Sequence, residues 1–71
     1  MTEASEYTFR YLNAEGRFVA VVQAECTGVR AAVCMAVRFL AEEYAALEIS
    51  QGEEAVWQGL REDALRIAAS G

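Results

Sequence analysis

A chain of 71 residues and 7.8 kDa has room for one small domain, and a second is excluded because chains of this size bury only about 60% of the surface their unfolded state exposes. Of the 55% hydrophobic residues, 14 are Ala; the remaining 25 are large enough to build a core, so a lone copy is expected to be marginal. Six Arg and no Lys against eleven acids leave a net charge of −5, which opposes a phosphate-tracking nucleic-acid surface, and the lack of any His or Lys removes the commonest general base, the usual amine nucleophile and the commonest metal ligand.

The opening Met1–Glu6 lacks the basic start and long apolar stretch of a secretory signal, so a cytoplasmic location is expected, with residues 1–5 as a disordered tail ahead of a single domain. Tyr7-Thr-Phe-Arg-Tyr-Leu12 alternates with period two and puts three aromatics on one face, the pattern of a half-buried strand. Asn13-Ala-Glu-Gly16 supplies turn chemistry, with Gly where a left-handed residue closes a type I turn, and Arg17–Glu25 returns as a second strand. Treating all four turn residues as loop sets Tyr11 opposite Phe18, Phe9 opposite Ala20 and Tyr7 opposite Val22, with Leu12, Val19 and Val21 outside. A three-residue loop, Ala14–Gly16, would instead mix Arg10 into the apolar face, so the longer loop is preferred.

From Gly28 to about Ala46 the period becomes 3.6, with Val29, Val33, Ala36, Val37, Leu40 and Tyr44 on one stripe and Thr27 placed to cap the helix through its hydroxyl. The apolar run Ala31–Val37 is far shorter than the roughly 20 residues that span a bilayer, so no membrane segment is expected. Leu47–Ser50, a turn at Gln51–Glu54 and Ala55–Gln58 read as a second hairpin, and Leu60–Ala69, with acids in its first turn, as a short terminal helix. The predicted class is α+β: a small antiparallel sheet in ββαββ order, one main helix across a face, and a short C-terminal helix.

That order of elements, with Tyr7-x-Phe9, the Glu15-Gly16 turn and Glu48-x-x-Gln51-Gly52, resembles small uncharacterised proteins of bacteria with high-GC genomes, and the bias to Ala, Arg, Glu and Val without Lys suits such a source. The resemblance covers Tyr7 to Gln58 and implies no activity, cofactor or site.

Several constellations could carry chemistry. Arg30, Cys34 and Arg38 share a helix face, and guanidinium groups beside a thiol favour the reactive thiolate; the plainer reading is a small apolar Cys34 under the terminal helix, with Arg38 paired to Glu42. Cys26 belongs in the core, and both cysteines are expected to be reduced. Tyr7, Phe9 and Tyr11 could stack bases, but cross-strand aromatics are ordinary core. Trp57 could line a pocket at a subunit seam or simply close the core. Glu42-Glu43 and Glu53-Glu54 are neighbours that point apart, and Ser5, Ser50 and Ser70 have no His to activate them, so no catalytic constellation, metal site or cofactor is expected. What stands out is surplus apolar surface, Leu12, Val19 and Val21 outside the sheet with Met35 and Phe39 flanking the helix stripe, which one helix cannot cover. The expectation is a non-enzymatic homodimeric interaction module, without nucleic-acid or membrane binding; the competing readings are a thiol redox sensor at Cys34 and a small-molecule site near Trp57.

Overall fold

The aromatic strand is the centre of the molecule. In the computed structural model, which describes residues 3–70, β1 (Ser5–Asn13) pairs antiparallel with β2 (Phe18–Cys26) on one side and β3 (Tyr44–Gln51) on the other, and β4 (Glu54–Leu60) extends the sheet beyond β3. The order β2-β1-β3-β4 makes β2 and β4 the edges. Helix α1 (Val29–Val37) connects β2 to β3, and α2 (Arg61–Ser70) follows β4 directly. The strand and helix order is the one read from the sequence. Ser5 already pairs with Cys26, so the expected tail is shorter than residues 1–5; Glu3 and Ala4 precede the strand and residues 1–2 lie outside the described residues.

Both turns follow from their glycines. Asn13 N–H donates to the Arg17 carbonyl at 2.9 Å and Gly16 N–H to the Asn13 carbonyl at 3.0 Å, so the loop is Ala14–Gly16, with Gly16 at φ 80. The Asn13 side-chain oxygen accepts from the N–H groups of Glu15 and Arg17, both at 3.0 Å, an Asx-type brace for the turn. Gly52, at φ 64, takes the first central place of the two-residue turn between β3 and β4, where a left-handed residue matches the twist of the strands.

The three-residue loop corrects the loop length predicted above, yet the predicted faces hold for β1 and for Ala20–Glu25, though not for Phe18, and a β-bulge is the reason. Leu12 pairs with Phe18 and Tyr11 with Ala20, leaving Val19 without a partner; this one extra residue restores the alternation that the shorter loop would have inverted. Cross-strand partners are therefore Tyr7–Ala24, Phe9–Val22 and Tyr11–Ala20, two residues along from those expected, and Phe18 turns outward.

Helix α1 stops at Val37 rather than near Ala46. The N–H groups of Arg38, Phe39 and Leu40 turn back to the carbonyls of Met35, Ala36 and Val37, tightening the last turn. Tyr44 fits a helical stripe and a strand pattern equally well. The fully buried Tyr11 decides between them, stacking on Tyr44 at a centroid distance of 5.1 Å and donating its hydroxyl hydrogen to the Ala36 carbonyl at 2.7 Å. Thr27 caps nothing; Gly28 is the N-cap residue, in extended backbone, with no side-chain hydrogen bond. At α2 the capping works as its acids suggest, because Leu60 N–H donates to Asp63 Oδ2 at 3.2 Å, the N3 half of a capping box.

The core joins Tyr7, Phe9 and Tyr11 of β1, Leu47 and Ile49 of β3, Ala32, Val33 and Ala36 of α1, Ala64 of α2, and Cys26. Both helices thus lie on the same face of the sheet, α1 against β2 and α2 against β3 and β4. The other face has no covering element among the described residues.

Candidate interaction surface

The register places the side chains of the open face in rows across the four strands. Leu12 pairs with Phe18 on one side and Ala46 on the other, and Ala46 pairs with Leu60. An apolar stripe therefore runs from edge to edge, with Val19 beside Phe18 at the bulge. Phe18, Val19 and Leu60 are 58%, 45% and 61% exposed. Leu12, Ala46, Glu48, Gln58, Leu60 and Asp63 line a groove of about 320 Å³ at its β4 end.

The next row is Val21, Arg10, Glu48 and Gln58, mostly polar. Arg10 Nη1 donates to Ser50 Oγ at 2.8 Å and stands 3.7 Å from Glu48 Oε1, which holds its guanidinium down across the middle of the sheet and accounts for the burial of Ser50 on a face that is otherwise open. Half-exposed and single, that ion pair contributes at most about 1 kcal/mol; its effect is to fix a flat polar strip beside the apolar one. Beyond it lie Gln23, Thr8, Ser50 and Ala55, then Glu25 and Glu6 directly opposed.

Of the predicted contact residues, Leu12 and Val21 fall on this face, and Val19 is exposed at the bulge without a cross-strand partner. Met35 does not: it is in the helix layer on the other side of the sheet, half-buried against the core. Phe39, 48% exposed, sits in the turn after α1. The sequence pattern marks neither Phe18 nor Leu60 as outward: the bulge that turns Phe18 has no signature in one sequence, and Leu60 opens the stretch predicted as the terminal helix but ends β4.

The other candidates come to less. Cys34 is half-buried and free, in a shallow depression with Ala31, Met35 and Arg38. Arg30 is turned from it, donating to Ser70 Oγ at 3.2 Å. With α1 ending at Val37, Arg38 and Glu42 no longer share a helix; the ion pairs among the described residues are Arg10–Glu48 and Arg66–Asp63. Cys26 is buried and free, and burial pushes its thiol pKa up. Trp57 packs partly buried against the core, its indole lying across Gly59, where an added Cβ would come within 2.8 Å of Cη2. Among the described residues no three His, Cys, Asp or Glu side chains cluster as metal ligands would, and no helix is long and apolar enough to cross a membrane.

One structural residue escaped the sequence reading. Arg61, first in α2, donates through Nη1 to the Ala41 carbonyl and, at 3.1 Å, to that of Tyr44, tying the loop between α1 and β3 to the second helix.

Comparison with protein-family models, with curated proteins and with solved structures gives no significant match. Fold and surface therefore carry the functional argument by themselves.

Proposed function

We propose that the chain is a non-enzymatic interaction module that self-associates through the open face of its sheet, most simply as a homodimer. The observation that carries this reading is the apolar stripe Phe18–Leu12–Ala46–Leu60, continuous across all four strands on a face that neither helix covers. Scattered exposed hydrophobics are normal on soluble proteins, but an aligned row of them marks a contact. The size is suitable. Strands of 7 to 9 residues give a plate roughly 25 Å by 19 Å, and side-chain relief raises its area toward the roughly 800 Å² per partner of a standard interface. A contact between identical faces is isologous and closes with two copies.

Light scattering at micromolar concentration tests the reading. The expected mass is twice 7.8 kDa, and Leu60→Asp, at a position already exposed in the single chain, should return it to one copy without loss of secondary structure. A wild-type chain with the mass of one copy refutes it.

A further inference from the structure

The open face is uneven along its apolar row. Phe18, the largest side chain of the row and 58% exposed, stands at the β2 edge, followed by Leu12, the small Ala46 and Leu60. The groove of about 320 Å³ opens at the other end, with Leu12, Ala46, Gln58 and Leu60 among its walls. A projection and a recess thus lie at opposite ends of one row, on β2 and β4. The next row is divided in the same sense by charge: Arg10 on β1 and Glu48 on β3 flank the midline of the sheet, 3.7 Å apart.

We propose that a second copy packs on this face about a two-fold axis parallel to the strands, along the midline between β1 and β3. The arrangement rests on the self-association reading above and adds to it which residues meet. Such an axis lays β2 over β4 and β1 over β3 of the other copy, so each row crosses the same row in reverse. Phe18 then sits over the groove at Leu60, Leu12 over Ala46, Arg10 over Glu48 and Val21 over Gln58. Large side chains meet small ones or the recess. The two Arg10–Glu48 pairs become a ring of four alternating charges, so neither side chain, 37% and 30% exposed in one copy, is covered by an apolar group. Two β faces commonly stack with their strands aligned to within about 30°.

The other axes in the plane of the face fit worse. One across the strands at mid-sheet sets Leu12 on Glu6 and Phe18 on Glu25. One along the apolar row sets Phe18 on Phe18 and Leu12 on Leu12, leaves the groove empty, and covers only the end of the strands where that row lies. The axis parallel to the strands covers the whole face. At its far end Glu6 and Glu25 come beside the turn carrying Glu53 of the other copy, all three exposed at the rim, where water and salt screen them.

Phe18 and Leu60 stand three strands apart in one copy, about 14 Å, so coupling between them reports a contact between copies. Dimerisation is measured by sedimentation equilibrium for Phe18→Ala, Leu60→Ala and the double variant, with circular dichroism to show that the fold is kept; both positions are exposed in the single chain. Each single substitution should weaken dimerisation about a hundredfold, since the contact occurs twice, and the two together about a thousandfold rather than the roughly ten-thousandfold of independent sites. In a sample mixing isotope-labelled and unlabelled copies, filtered nuclear Overhauser effects should join the Phe18 ring to the Leu60 methyls. A dimer in which the two substitutions are additive, or in which the filtered effects join Phe18 to Phe18, overturns this axis and leaves the open-face contact standing. A dimer that survives Leu60→Asp, or a single-copy mass up to millimolar concentration, overturns both.

Discussion

Raising the pH through the alkaline range should destabilise this fold through one hydroxyl. Tyr11 is fully buried, and its pKa is pushed from 10.0 up to about 12, first by burial and then by the neighbouring Tyr44. The unfolded chain loses this proton near pH 10 and the folded chain only near 12. Stability is therefore complete below pH 10 and falls as the pH rises to 12, by up to about 2.7 kcal/mol for a two-unit shift. Ionisation also removes the donor to the Ala36 carbonyl. Tyr11→Phe deletes the titration and, at neutral pH, about 1 kcal/mol of hydrogen bonding, the loss being modest because Ala36 still accepts from Phe39 N–H. Wild type should thus be more stable at pH 8, equal to the variant near about pH 11, where a tenfold excess of ionised unfolded chain has removed about 1.4 kcal/mol, and less stable above it. Urea denaturation followed by far-ultraviolet circular dichroism, at fixed protein concentration because association adds to apparent stability, measures the difference directly. The alkaline loss from Cys26, whose pKa is also raised, is common to both chains and cancels. A difference that stays constant from pH 8 to 12 refutes the assignment.

Gly59→Ala should cost about 1–3 kcal/mol, because the new methyl meets the rigid indole of Trp57 at 2.8 and 3.0 Å rather than a flexible side chain; in a Trp57→Leu background the cost should largely vanish in a double-mutant cycle. Asn13→Ala removes the acceptor of two turn hydrogen bonds and should cost about 1 kcal/mol in urea denaturation, while Asn13→Asp, which keeps the oxygen, should cost little. Arg61→Met should lose about 1–2 kcal/mol and speed hydrogen exchange in residues 38–43, and Arg61→Lys should recover only part, since the shorter Lys side chain does not carry its ammonium out to the place of Nη1, the one nitrogen that meets both the Ala41 and Tyr44 carbonyls.

What the sequence revealed and concealed divides along the range of the interactions. The Asn13–Gly16 and Gln51–Glu54 turns, the aromatic face of β1 and the N-terminal acids of α2 rest on contacts within a few residues, and each was legible. The end of α1 was not. Tyr44 continues the helical stripe of Val33, Val37 and Leu40, and what makes it a strand residue is Tyr11, far away in sequence, whose ring and hydroxyl meet only in the folded chain. The bulge at Val19 was hidden for the same reason: burying Tyr7, Phe9 and Tyr11 together constrains the faces but not how an odd residue is accommodated on the way to the turn. Alternation alone puts Leu12 and Val21 on the face opposite the aromatics, where the pairing of β1 and β2 has them, but it puts Phe18 with the aromatics, and the alignment of Leu12 with Phe18, Ala46 and Leu60 needs the register of three strand pairs.

The open face follows from the number of helices the described residues supply. Four strands about 4.8 Å apart make a plate some 19 Å across, and a helix about 10 Å wide covers two of them, so sealing one face takes two helices side by side. The described residues form two, of 9 and 10 residues, and both are used over the aromatic face. Nothing among the described residues is left for the other. A sheet in that position can still be made indifferent to water, as its own Arg10–Glu48 and Gln23–Thr8–Ser50 rows demonstrate. The row of Phe18, Leu12, Ala46 and Leu60 departs from that pattern on the same strands and a few ångströms away. Topology explains why the face is bare but not why one row of it is apolar, and it is the second fact, absent any need of the fold, that points to a contact with another molecule.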